Sequence, residues 1–84
     1  QGQPSKTRQI CHKLLKKNPK DFNALQLQAL ALRREDKCDA AVDYFRRAAA
    51  VAPDTVLRHS MLIQQARCLE QLGKPGAALE ILDA

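Results

Sequence analysis

Asp39 and Asp43 stand four residues apart in this 84-residue chain, and they are its closest approach to an acid–base pair. On a helix, positions i and i+4 share a face, so two carboxylates could in principle divide the roles of general acid and general base. Arg46 and Arg47 follow within a turn, and that company reads as an exposed, solvated helix face. Cys11 and His12 are adjacent, which on a helix turns their side chains about 100° apart and spoils them as a metal pair. His59 stands alone. The three cysteines, Cys11, Cys38 and Cys68, are odd in number, widely spaced and without a CxxC pair. That pattern argues against a disulfide framework and for a reducing, cytoplasmic setting, with the thiols acting as small buried hydrophobes. No glycine-rich phosphate loop, GxSxG elbow or HExxH helix occurs. The chain is therefore not expected to be an enzyme, or to hold a metal, a cofactor or a small-molecule substrate.

Charge is the next candidate carrier of function. The formal net charge is +5, but it is unevenly placed. Residues 1–20 carry six Lys or Arg and no acid, whereas residues 21–84 carry eight basic and nine acidic residues. A nucleic-acid footprint spread over the whole module would look different. Lys6, Lys13, Lys17 and Lys20 recur at helical spacing and share a face, which could meet an acidic partner, an anionic membrane or RNA, or simply be solvated. No apolar run approaches the length of a membrane span, and no signal-peptide pattern is visible.

Positioning any of these residues requires helices. Ala, Leu, Gln, Arg and Lys dominate, no segment alternates with period two, and the only aromatics are Phe22, Tyr44 and Phe45. Pro4 and Ser5 open a first helix with Ile10, Leu14 and Leu15 as its apolar stripe and Cys11 beside them; Asn18-Pro19 ends it. Asp21 caps a second helix, lined by Leu25, Ala29 and Leu32 and widened by Leu27 and Leu30. Glu35-Asp36-Lys37 reads as a turn, with Asp36 or Asp39 capping a third helix over about 39–51. Its stripe is Ala41, Phe45 and Ala48, with Val42 and Val51 alongside, and Pro53 stops it. Asp54 or Thr55 caps a fourth helix reaching about Leu72, with Val56, Leu62, Ala66 and Leu69 inward. Gly73 suits the position after its end. Pro75 suits the first turn of a fifth helix carrying Ala78, Leu79 and Leu82 up to Ala84. Short turns between these helices favour antiparallel neighbours. The expectation is a single all-α domain over 1–84.

An internal repeat sharpens this. Pro19 and Pro53 each end a helix, lie 34 residues apart and are followed within two residues by Asp21 and Asp54. Between them stand AlaLeuGlnLeuGlnAla at 24–29, then Ala41, Phe45, Ala48 and Pro53. This arrangement resembles the tetratricopeptide repeat, whose period is 34 residues. Leu25 stands where that family usually has Trp, Leu32 where it often has Tyr, and Asp36 where it often has a turn Gly. Leu62, Ala66, Leu69, Gly73, Ala78 and Leu82 repeat the spacing about three residues late, which suggests a lengthened linker over 54–58. Residues 5–19 look like the second helix of a preceding unit, with Thr7, Cys11 and Leu14 at its packing positions. Leu14 and Gln28 depart from the pattern, standing where a small Ala and a Leu are usual.

The resemblance implies antiparallel helix-turn-helix units stacked as a short right-handed superhelix: 5–19 part of one unit, 21–53 complete, 54–84 truncated. One helix pair cannot bury both its faces, so stacking makes the core continuous, and the chain is expected to belong to a longer array or to self-associate. The resemblance also implies a concave groove lined by the first helix of each unit. Its positions correspond to Asn23, Gln26, Leu30, Arg33 and Arg34, then Ser60, Ile63, Arg67, Glu70 and Gln71. Arg suits planar recognition of carboxylates, so a peptide or protein partner of acidic character is expected. The paired Lys, Arg and Asn of the family's carboxylate clamp are replaced here by Gln26, Leu30, Ile63 and Arg67, and no such clamp is expected. The function implied is a non-catalytic protein-interaction scaffold. An oligomerisation module of a larger protein is the alternative. RNA binding by a pentatricopeptide-like repeat is a distant one, opposed by the near-neutral charge of residues 21–84.

Overall fold

A chain of good helix formers broken by Pro, Gly and turn-forming acids folds as five helices. The structure is a computed structural model that describes residues 4–83, and the side chains of 6–82. The helices are α1 (Pro4–Lys17), α2 (Phe22–Arg34), α3 (Cys38–Ala50), α4 (Thr55–Gln71) and α5 (Pro75–Asp83). No strand occurs among the described residues. Ala84, at the expected end of α5, lies outside them, as do Gln1, Gly2 and Gln3. Turns of three or four residues join the helices and fold each back on the one before, so each packs mainly on its neighbours in sequence. The thinnest dimension is 20 Å, about two helix diameters.

The same local devices bracket α2 and α4. Asp21 Oδ1 accepts the Ala24 N–H at 3.2 Å, and Asp54 Oδ1 accepts the Leu57 N–H at 2.8 Å. Each fills the third orphan donor of its helix. At the other end, Lys37 N donates to Leu32 O at 2.9 Å and Asp36 N to Arg33 O at 3.0 Å. Lys74 N donates to Leu69 O at 2.8 Å and Gly73 N to Glu70 O at 3.0 Å. Both ends are thus Schellman motifs, which need a left-handed residue just past the helix. Gly73 supplies it with φ 78°, and Asp36 supplies it with φ 63°. An L-residue there costs about 1–2 kcal/mol, which Asp tolerates better than most.

Three expectations about these ends need correction. Neither Asp36 nor Asp39 caps α3: the N-cap is Lys37, which makes no side-chain cap bond, while Asp39 Oδ1 takes the Ala40 N–H. The expected linker over 54–58 is helical from Thr55 onward. α4 has 17 residues against 13 in α2, so the four additional residues form one more turn of helix rather than a loop. Val56, on that turn, is therefore 77% exposed instead of inward.

The core surrounds α3, which packs against both α2 and α4. Phe45 is fully buried in a cluster with Leu25, Ala29, Leu32, Ala41, Ala48, Ala49, Met61 and Cys68. A smaller cluster of Ala66, Leu69 and Ala78 joins α4 to α5. The expected stripes of α2 and α3 hold, but those of the end helices rotate. Cys11 is buried and Leu15 half-buried in α1, whereas Ile10 and Leu14 face solvent. In α5, Ala78 is buried and Ile81 half-buried, while Leu79 and Leu82 are exposed. In α2, Leu27 is exposed rather than part of the apolar stripe.

Phe45→Ala should remove about 3–5 kcal/mol, a large part of the roughly 4–12 kcal/mol available to a chain of 84 residues. Far-UV circular dichroism at 37 °C is expected to show most helicity lost, while Val56→Ala melts within a few degrees of the wild type.

Candidate partner-binding surface

The expected groove residues divide by what their side chains already hold. Leu30 packs against the Phe45 cluster. Arg33, half-buried, donates through Nη1 to Gln64 Oε1 and so ties α2 directly to α4. Gln71 Oε1 accepts from the Cys38 thiol at 3.0 Å, tying the end of α4 to the start of α3. These three residues serve the packing. Gln26 and Ser60 are half-buried. Asn23, Arg34, Ile63, Arg67 and Glu70 are exposed, and among the described residues Arg34, Arg67 and Glu70 make no ion pair.

Around the Arg33 bridge the other polar groups are also structural. Cys68 is buried beside Cys38, and its thiol is pushed up to about 12, first by burial and then by its hydrogen bond with Cys38. Burial likewise raises the Cys11 thiol. All three thiols are free and buried, so they pack as hydrophobes. No group of three or more His, Cys, Asp or Glu among the described residues is arranged to hold a metal ion. The Asp39 and Asp43 carboxylates are both exposed. Asp43 pairs with Arg46 and, at 3.8 Å, with Arg47, whose guanidinium lies 5.0 Å from the Tyr44 ring centre.

The basic first helix presents Lys6, Lys13, Lys16 and Lys17 to solvent. Arg8 is the exception. Its fork grips Glu35 through Nε to Oε2 and through Nη2 to Oε1 at 3.0 Å, fixing α1 to the turn after α2. Beside it, Arg8, Gln9, His12 and Gln28 line a cleft of about 250 Å³. A second cleft of about 280 Å³ lies between α4 and α5, lined by Arg58, His59, Leu62, Ile63, Ile81 and Leu82.

Sequence reasoning missed Gln64, Arg8, Glu35 and the α4–α5 cleft. The spacing of Arg8 and Glu35, 27 residues apart, carries no periodic signal, since long-range polar pairs depend on the packing of whole helices. No protein-family profile and no curated protein matches the chain.

The Arg8 hydrogen bond, with desolvation opposing it, holds the Glu35 carboxyl below its ordinary value of 4.5. A depressed folded-state pKa means that the link stabilises the fold above the ordinary glutamate range and that this is lost as pH falls through the lower folded value. Melts of wild type and Glu35→Gln are therefore expected to differ at pH 7, with the wild type higher, and to converge by about pH 2–3. A gap of equal size at both pH values would contradict the assignment.

Proposed function

We propose that this chain is a tetratricopeptide-like helical-repeat module that binds an acidic peptide or protein segment along the face shared by α2 and α4, with no chemistry of its own. The observation that carries the reading is the pair Arg34 and Arg67, two exposed guanidinium groups without ion-pair partners among the described residues. They stand on helices held together by the Arg33–Gln64 bond. Arg loses less hydration on pairing than Lys and offers a planar fork to carboxylates. Exposed Ile63 adds an apolar contact between these charges.

Repetition supports the fold side of the proposal. Leu25, Gln28, Ala29, Leu32 and Ala41 correspond to Leu62, Gln65, Ala66, Leu69 and Ala78 at a constant offset of 37 residues. In both sets the Gln is nine-tenths buried. Both first helices also carry an Asp cap and a Schellman end. The 34-residue spacing of the prolines becomes 37 between the helix cores through the additional turn of α4. Such units stack into open arrays whose lining residues recognise peptides. Three free thiols are compatible with a reducing, cytoplasmic setting.

Oligomerisation is the second reading. Ile10 and Leu14 on α1, and Leu79 and Leu82 on α5, are exposed large apolar side chains on both end helices, as surfaces that meet other subunits would be.

Affinity capture from a lysate tests the first reading, comparing the wild type with Arg34→Glu/Arg67→Glu and with a control, Lys16→Glu/Lys17→Glu. A partner reduced more than about tenfold only by the first variant is expected, since like-charge contacts cost several kcal/mol. Equal loss with the control variant, or equal recovery from all three proteins, would refute the assignment.

A further inference from the structure

The additional turn of α4 creates a site of its own. Thr55–Arg58 extends this helix beyond the length of α2 and places Arg58 and His59 one turn before Leu62 and Ile63 on the same face. Ile81 and Leu82 of α5 form the opposite wall of the 280 Å³ cleft. Its interior is aliphatic, and two of its walls remain open to solvent, Ile63 at 45% and Leu82 at 52% exposure.

The rim is electropositive from two sources. Arg58 is exposed and forms no ion pair among the described residues, and no acid lines the cleft. The first turn of α4 adds the positive end of a 17-residue helix dipole, where a basic side chain is disfavoured and an acidic one favoured. A cation held there with aliphatic walls below it is complementary to a carboxylate attached close to an aliphatic side chain. The exposed apolar helix at the other end of the molecule does not fit. Ile10 and Leu14 of a second copy's α1 would arrive with Lys13 and Lys17, bringing like charge to Arg58.

The geometry points to the α4–α5 cleft as a docking pocket for a partner segment that presents a Leu or Ile beside an Asp or Glu, the aliphatic side chain entering between Ile63 and Leu82 and the carboxylate meeting Arg58. This rests on the partner-binding reading above and extends it past the α2–α4 face, with Ile63 common to both surfaces.

The test is a ¹H–¹⁵N NMR titration of the full chain with the capped peptide acetyl-Gly-Glu-Leu-Glu-Gly-amide. Matched peptides replace both Glu by Gln, both Glu by Lys, or Leu by Ala. Shifts centred on Arg58, Ile63 and Leu82 are expected, weakened at least fivefold for the Gln and Ala peptides. Arg58→Glu, which suits a helix N-terminus and should keep the fold, is expected to lose the Glu peptide and gain the Lys peptide. Leu82→Ser should weaken both. Four results would overturn the pocket: no shifts up to about 5 mM peptide, several times a Kd of about 1 mM; binding insensitive to Arg58→Glu; shifts confined to Asn23, Arg34 and Arg67; or concentration-dependent shifts at the cleft without peptide, which would make a second copy the occupant. Shifts confined to Asn23, Arg34 and Arg67 would leave the α2–α4 reading standing. Cleft binding together with full partner capture by Arg34→Glu/Arg67→Glu would instead remove the α2–α4 reading and keep the pocket.

Discussion

Phe45 can occupy the centre of this molecule only because the residues around it are small. Helix axes approach within about 8–10 Å when their contact positions are small enough. Here Ala29, Ala41, Ala48 and Ala49 provide that closeness, and a single aromatic ring fills what remains. Leu25 and Leu32 from α2 and Met61 and Cys68 from α4 close the cluster from either side. α3 is therefore common to both halves of the fold. A chain with three aromatic residues in total has no second ring of comparable burial to share this task.

From that centre outward, each helix has fewer neighbours and less to bury. α1 packs mainly on α2, and α5 mainly on α4, through a small cluster built on Ala78. Polar links compensate where apolar contact thins: Arg8 to Glu35 at the first helix, Arg33 to Gln64 and Cys38 to Gln71 across the middle. The surfaces left over follow from the same geometry. α2 and α4 turn unpaired Arg34 and Arg67 outward, and the overhanging turn of α4 meets the end of α5 in a cleft with an aliphatic interior and a cationic rim. One buried cost persists. Gln28 Oε1 has no hydrogen-bond partner, although the Gln is 6% exposed, and an unmade bond of this kind costs about 1–3 kcal/mol.

Helix ends were the most legible part of the chain, because their causes are local. Asp21 and Asp54 as caps, the left-handed Gly73 and Pro75 at a first turn follow from one or two residues each. The inward stripes of α2 and α3 were legible for a related reason: helices flanked on both sides bury enough of their surface that any apolar stripe at helical period points inward. Periodicity fixes that a stripe exists, not the direction of its centre. On α1 and α5, which have one main neighbour each, packing selects Cys11 over Ile10 and Leu14, and Ala78 over Leu79 and Leu82. Of the expected surface, Arg34 and Arg67 remain outward, whereas Arg33 and Gln71 are taken up by Gln64 and Cys38. That division depends on where α4 lies beside α2 and α3, which no local pattern encodes. Residues 55–58 were misread for a different reason. The proline spacing suggested an insertion, and an insertion of four residues after an Asp cap can be absorbed as one helical turn without disturbing the register beyond it.

Native-state hydrogen exchange followed residue by residue tests the central claim that the Phe45 layer holds the fold together and the end helices depend on it. The account predicts the slowest exchange in α3 and in the facing stretches of α2 and α4 around Leu25–Leu32 and Met61–Leu69, all opening at one common free energy. Amides of α1 and α5 are predicted to exchange earlier, through smaller openings. Protection in α1 or α5 equal to that of α3, or α3 exchanging before its neighbours, would contradict it.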